Sequence, residues 1–231
     1  MKLFKMKDAV AIDGPAGSGK STVSRLVAER LGFTYIDTGA MYRALTLKVM
    51  AEASDFTDEG KIIEFSRDLD LKLLSSGEGS SPISVILDGR DVSEEIRKME
   101  VTTNVKHVCK IPEVRKNLVN LQREMADAAG GSVMEGRDIG TVVLPNAEYK
   151  FYIDASFDER VERRLKEMQA KGHPVTPAEV ADDLKQRDHT DKTRDVGPLK
   201  KAEDAILIDT TDLSIEEVVT EIIQYASKGS K

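Results

Sequence analysis

The chain has 231 residues, 40% hydrophobic and 32% charged, with a formal net charge of −7 and one cysteine, Cys109. That length allows one large domain or a core with an inserted subdomain. The acidic balance argues against a general affinity for nucleic-acid backbones, and a lone cysteine excludes an internal disulfide or a cysteine-based zinc site.

Lys2, Lys5 and Lys7 precede no sustained apolar stretch, and no run of about eighteen apolar residues occurs, so neither a secretory signal nor a membrane span is expected. The expected compartment is the cytoplasm. Val10-Ala11-Ile12-Asp13 reads as a buried strand, followed by Gly14-Pro15-Ala16-Gly17-Ser18-Gly19-Lys20-Ser21. This is G-x-x-x-x-G-K-[ST], the P-loop, and each part suits a nucleoside triphosphate. The glycines let backbone N–H groups turn inward around phosphate. Lys20 supplies a point charge between the β- and γ-phosphates, the Ser21 hydroxyl can ligate Mg²⁺, and Thr22 continues the cradle into the helix. Val23, Leu26, Val27 and Leu31 then recur at helical spacing, with Gly32 as the stop.

Thr34 to Asp37 reads as a second strand, Thr38-Gly39 as a turn, and Ala40 to about Ala51 as a helix. Ser75 to Pro82 is built from turn formers. Ile83, Val85 and Leu87 alternate behind it, as in an exposed-edge strand ending at Asp88-Gly89. Pro112 opens a helix running to about Ala128, and Gly130-Gly131 breaks the chain before a short strand at Ser132-Val133-Met134. Another strand covers Tyr149 to Ile153. Capping boxes at Ser156/Glu159, Thr176/Glu179 and Ser214/Glu217 announce three helices. An apolar strand at Ala205 to Ile208 lies between the last two, and Ser227 to Lys231 reads as a frayed end. Alternating strands and helices predict an α/β fold with a parallel sheet flanked by helices. Its core is expected at residues 1–40 and 130–228, with an inserted unit carrying its own small sheet between them.

Three arginine clusters bear on a second substrate. Arg137 and Asp138 follow a strand, where ligand loops of parallel sheets lie. Arg160, Arg163 and Arg164 share a helical face, as do Arg187, Asp191 and Arg194. Each lid-type cluster also reads as an ordinary solvated helix with local ion pairs. Together with a P-loop they match phosphoryl transfer between two anions, where catalysis is mostly positioning and charge neutralisation.

The blocks Ile12 to Ser21, Asp37-Thr38-Gly39-Ala40-Met41-Tyr42-Arg43, Asp91-Val92-Ser93-x-x-Ile96-Arg97, Gly136-Arg137-Asp138-Ile139-Gly140-Thr141-Val142-Val143, Arg187-Asp188-x-x-Asp191-x-x-Arg194 and Pro198-Leu199-x-x-Ala202-x-Asp204-Ala205 resemble the bacterial cytidylate kinases. The likeness runs from about residue 8 to 226. It implies a P-loop core, a monophosphate-binding insertion at about 41–129, a mobile lid at about 157–195, and phosphoryl transfer from MgATP to CMP or dCMP. The resemblance implies that Thr38, Arg115 and Asp138 hold the base, with Arg123 a competitor for the place of Arg115. Arg43, Arg137, Asp191 and Arg194 are implied to hold phosphate and ribose, with Arg187 near the transferred group. Arg160, Arg163 and Arg164 supply the arginine-rich lid, with Arg160 and Arg164 expected to act catalytically and the arginine that touches ATP left open. The family hydroxyl is often Ser where this chain has Thr38.

Physical chemistry supports the same substrate. An ionised Asp138 can accept from the cytosine amine but meets a lone-pair clash at uracil's oxygen, and Asp191 can accept from ribose hydroxyls. The attacking phosphate is already largely ionised near neutrality, so no histidine base is required. A regulatory GTPase would need a guanine-reading Asn-Lys-x-Asp, which Asp191-Lys192-Thr193-Arg194 does not supply. A P-loop kinase for another monophosphate or an alcohol would differ at Thr38, Arg115 and Asp138. With no long apolar stripe left over, a monomer is expected.

Overall fold

In the computed structural model, residues 9–53, 55–75, 83–170 and 172–228 are described. Lys2, Lys5 and Lys7, most of the turn-forming stretch (76–82) and the last three residues of the expected frayed end lie outside them.

β1 (Ala9–Asp13) is buried at every position, which its unbroken apolar run requires of a central parallel strand. It leads through the glycine loop into α1 (Lys20–Leu31), which Gly32 ends in the left-handed region. β2 (Thr34–Asp37) follows, and β6 (Ser132–Gly136), β7 (Tyr149–Asp154) and β8 (Ile206–Asp209) complete a five-stranded sheet in the order β2-β6-β1-β7-β8. Every pairing in it is parallel. The chain leaves β1 towards one edge and leaves β7 towards the other, so a crevice opens beyond the carboxyl ends of β1 and β6, the usual ligand position in such sheets. α8 (Ile215–Lys228) packs against α1.

Between β2 and β6 lie α2 (Thr38–Glu52), α3 (Glu59–Arg67), α4 (Met99–Cys109) and α5 (Pro112–Ala128). They accompany an antiparallel sheet of β3 (Leu71–Ser75), β4 (Ile83–Leu87) and β5 (Arg90–Asp91). α3, β3 and α4 were not anticipated from sequence. The hydrophobic core is continuous from the large sheet into this region, through Leu45, Ile62, Ile83, Val85, Ile96 and Leu118.

Two expectations are corrected. Thr38-Gly39 is the first turn of α2, because the Asp37 carboxylate accepts from the Ala40 amide at 2.8 Å and starts the helix there. β4 is the central strand of its sheet, not an exposed edge. Alternation reports one buried face and is silent about pairing on either side.

α6 (Phe157–Ala170) and α7 (Pro177–Thr193) pack on each other over a separate small cluster of Met168, Val180 and Leu184, with Ala16 of the glycine loop. The boxes at Thr176/Glu179 and Ser214/Glu217 close reciprocally. At Ser156 the Glu159 amide donates to the hydroxyl, but the Glu159 carboxylate turns to Arg163 and Thr211 takes the Ser156 amide.

Candidate active site

The crevice is a single cleft of about 980 Å³ running from the glycine loop past Thr38 to α4. At its floor, Gly19 adopts φ 84° and opens α1 without a side-chain cap, a conformation natural to glycine. A Cβ on Gly14 would collide with the Ile153 carbonyl of β7. Ala16 to Thr22 line the cleft, whereas Gly14 and Pro15 lie behind it. The exposed amides at the start of α1 and its positive end face the cleft, an anion cradle in waiting.

Lys20 is buried, and its ammonium donates to the Pro15 carbonyl at 3.2 Å. Burial, reinforced by Arg137, pulls it down to about 8 against the attraction of Glu135, Asp191 and Asp37. The Ser21 hydroxyl donates to Glu135 Oε2 at 3.0 Å, and the Tyr35 hydroxyl donates to the other oxygen. Burial and the nearby Asp37 raise the Glu135 carboxyl above the usual range. Ser21, Glu135 and Asp37 thus gather hard oxygen donors beside the phosphate cradle, a set suited to Mg²⁺ held mainly through substrate phosphates. Glu135 is not among the residues singled out in the sequence. Its signal was an acid at the end of a strand that pairs with β1, a pairing invisible in linear sequence.

Farther along, charges alternate. Arg115 donates to Asp138 Oδ2 at 2.5 Å with both side chains buried, and Arg194 approaches Oδ1 of the same carboxylate at 3.4 Å. Arg194 also lies 3.5 Å from Asp191, whose Oδ2 accepts from Arg137 Nε at 2.7 Å. Burial opposes ionisation of Asp191, but Arg137 and Arg194 hold its carboxyl below the usual range. Arg43 reaches Asp37 at 3.1 Å. The Thr38 hydroxyl donates to the Glu135 carbonyl at 2.7 Å, which leaves its lone pairs for the cleft. The Arg115 guanidinium sits 5.4 Å from the centre of the Tyr42 ring, a cleft-lining side chain not singled out in the sequence.

Thr38, Arg43, Arg115, Arg137, Asp138, Arg187, Asp191 and Arg194 all line the cleft, together with Lys20 and Ser21. Arg115 rather than Arg123 meets Asp138. Arg123 instead donates to the Val142 and Val143 carbonyls at 2.7 and 2.8 Å.

The lid arginines divide. Arg164 lines the cleft and pairs with Glu167 at 2.7 Å, and Arg187 lines it with Asp183 at 3.5 Å. Burial, with Arg164 and Arg137 nearby, lowers the Arg187 guanidinium against the pull of Asp183. Arg163 lies at the cleft wall, bonded to Glu159, to the Ser18 carbonyl at 3.4 Å and to Thr210 at 2.7 Å through its carbonyl. Arg160, expected among the catalytic arginines, is not among the residues lining the cleft. It is buried between the Ala16 carbonyl at 3.0 Å and the Asp188 carboxylate at 2.7 Å, where it clasps glycine loop, α6 and α7.

Among the described residues no group of three or more His, Cys, Asp or Glu side chains could hold a metal, and no helix is long and apolar enough to cross a membrane.

A family model described as cytidylate kinase matches residues 10–228. A cytidylate kinase of Caldanaerobacter subterraneus subsp. tengcongensis is 52% identical over 222 residues, 96% of each chain. One from Desulforamulus reducens is 50% identical over 220 residues, 95% of this chain and 97% of the relative. Among solved structures, an uncharacterised protein from Eubacterium ventriosum aligns with a TM-score of 0.51 at 15% identity, covering 97% of this chain and 99% of its own, a likeness of fold alone.

Proposed function

The chain belongs to the cytidylate kinase family, and from that premise we propose that it transfers the γ-phosphoryl group of ATP to CMP and dCMP by direct in-line displacement. The observation that carries this reading is one cleft joining Lys20 at the phosphate cradle to a buried Asp138 gripped by Arg115. Lys20 and the amides of the glycine loop bind the β- and γ-phosphates. The alternating arginines bring the monophosphate oxygen into line, and most of the acceleration comes from this positioning.

Ser21, with Glu135 behind it, is the residue suited to the Mg²⁺ of MgATP, which neutralises charge on the phosphates when bound. Arg137, Arg164 and Arg187 face the space where the transferring group lies and stabilise the charge that develops there. Arg43, Arg137 and Arg194 take the acceptor phosphate, and Asp191 takes the ribose. Thr38, Arg115 and Asp138 read the base. Asp138 accepts from the cytosine amine and repels uracil's carbonyl, a mismatch of about 2–5 kcal/mol.

We assign residues 41–129 as the monophosphate-binding insertion and 157–195 as the lid, whose separate hydrophobic cluster lets the hairpin move as a unit. The protein acts as a cytoplasmic monomer whose partners are nucleotides. ADP release from MgATP with CMP, dCMP, UMP, AMP and GMP offered separately tests the reading. Strong turnover with CMP and dCMP and little with UMP is the expected result; preference for another monophosphate overturns it and the base-reading roles together.

A further inference from the structure

We propose that Asp13 and Arg123 are positioning residues of the monophosphate site, clamping from its two ends the turn that follows Arg137 and Asp138. Ile139–Val143 is a single π-helical turn, a geometry that leaves several backbone groups without partners of their own and recurs at functional sites. The Asp13 carboxylate supplies what the start of the turn lacks. The Ile139 and Gly140 amides donate to its Oδ1 and Oδ2, each at 2.8 Å.

At the other end the forked Arg123 guanidinium donates to the Val143 carbonyl from Nε at 2.8 Å and to the Val142 carbonyl at 2.7 Å. Neither residue lines the cleft. Both act on the segment that begins one residue after Asp138, whose own carbonyl accepts from Val142 and Val143 at 2.8 and 3.1 Å. Fixing the turn therefore fixes the direction in which Arg137 and Asp138 leave β6.

Asp13 has a second attachment. It is the last residue of β1, opposite Gly136 on β6 and Tyr152 on β7, and Gly14 of the phosphate loop follows it. One carboxylate thus joins the donor loop and the acceptor loop. Its burial is costly: burial pushes the carboxyl up to about 6 against the two amide bonds, with Asp138 raising it further and Arg137 opposing.

The inference rests on the cytosine-nucleotide reading above. Its test is steady-state kinetics on the full chain, with CMP and ATP varied separately, for the parent, Asp13→Asn, Arg123→Met and Arg123→Lys, together with thermal unfolding of each. Asn is isosteric and keeps one acceptor, so the Asp13→Asn variant is expected to fold with an unchanged or raised Tm. Its KM for CMP should rise about tenfold, the scale of one lost amide acceptor, and its preference for CMP over UMP should fall.

Arg123→Met should do the same to CMP while leaving the KM for ATP within about twofold, because Arg123 lies away from the phosphate loop; Lys, with one donor, should recover part of the loss. Folded variants with unchanged CMP KM and selectivity overturn the proposal, even if their Tm falls. If Asp13→Asn does not fold, the Arg123 pair decides alone. If the parent turns over a different monophosphate, the cytosine reading fails, and the same split in KM is then read with that substrate.

Discussion

Lys20 carries two predictions at the scale of the single side chain. Replacing it with Met should leave a folded protein whose turnover falls by orders of magnitude; near-normal ADP release would remove it from the chemistry. Burial, with Arg137, pulls its ammonium down to about 8. kcat/KM for MgATP should therefore be full below that value and decline as pH rises through it, since the charged form binds phosphate. A flat alkaline profile would show that the ammonium stays charged throughout. Asp138→Asn should erode the preference for CMP over UMP, because an amide can donate to uracil's oxygen, and competition between the two nucleotides measures that directly. Lys20 and Ser21 were singled out by the spacing of the P-loop, Asp138 by its place after a strand, and Thr38 by the family resemblance alone. Glu135 and Asp13 were not, because their partners lie far away in the chain and only the pairing of β6 with β2 and β1 brings them together, and Tyr42 meets Arg115 only where α2 packs on α5.

Elements were legible where their own ends announced them. The strand, glycine loop and helix from β1 to α1, and the capped starts of α7 and α8, carry their signals within a few residues. α4 carries none: Met99–Cys109 mixes β-branched residues with Glu100, Asn104, Lys106 and His107, and its place depends on packing against α2. Arg160 shows the opposite failure, a side chain with a strong local pattern and a different tertiary use. The arginine spacing of α6 matches a face aimed at phosphate, yet Asp188 on α7 and the Ala16 carbonyl capture Arg160 inside the hairpin. Asp188→Ala should strand that guanidinium and destabilise the fold by about 3–5 kcal/mol, as expected for a broken buried pair. A shift of the urea midpoint at constant slope measures it, and an unchanged midpoint would mean that water or a neighbour replaces the carboxylate.

The whole molecule joins a continuous core to the α6–α7 hairpin, whose small cluster also takes in Ala16 of the glycine loop, and closure of that hairpin over bound nucleotides is testable. CMP together with a non-hydrolysable ATP analogue should slow amide hydrogen exchange in α6 and α7 more than in β1 or β6. Each ligand should also add about 2.7 kcal/mol of stability at a hundredfold excess over its Kd. Exchange that slows equally everywhere would indicate general stabilisation without closure.

The alternation of arginine and aspartate from Asp138 through Arg194 and Asp191 to Arg137 has a consequence for what the protein ignores. Each guanidinium already has an in-house counter-anion, and the molecule as a whole is acidic. A long polyanion therefore approaches like charge and finds the cations occupied. A small anion that enters the cleft can take these guanidiniums from their carboxylates one at a time. Such a charge pattern favours short anions that fit the cleft over long ones that must lie across the acidic surface.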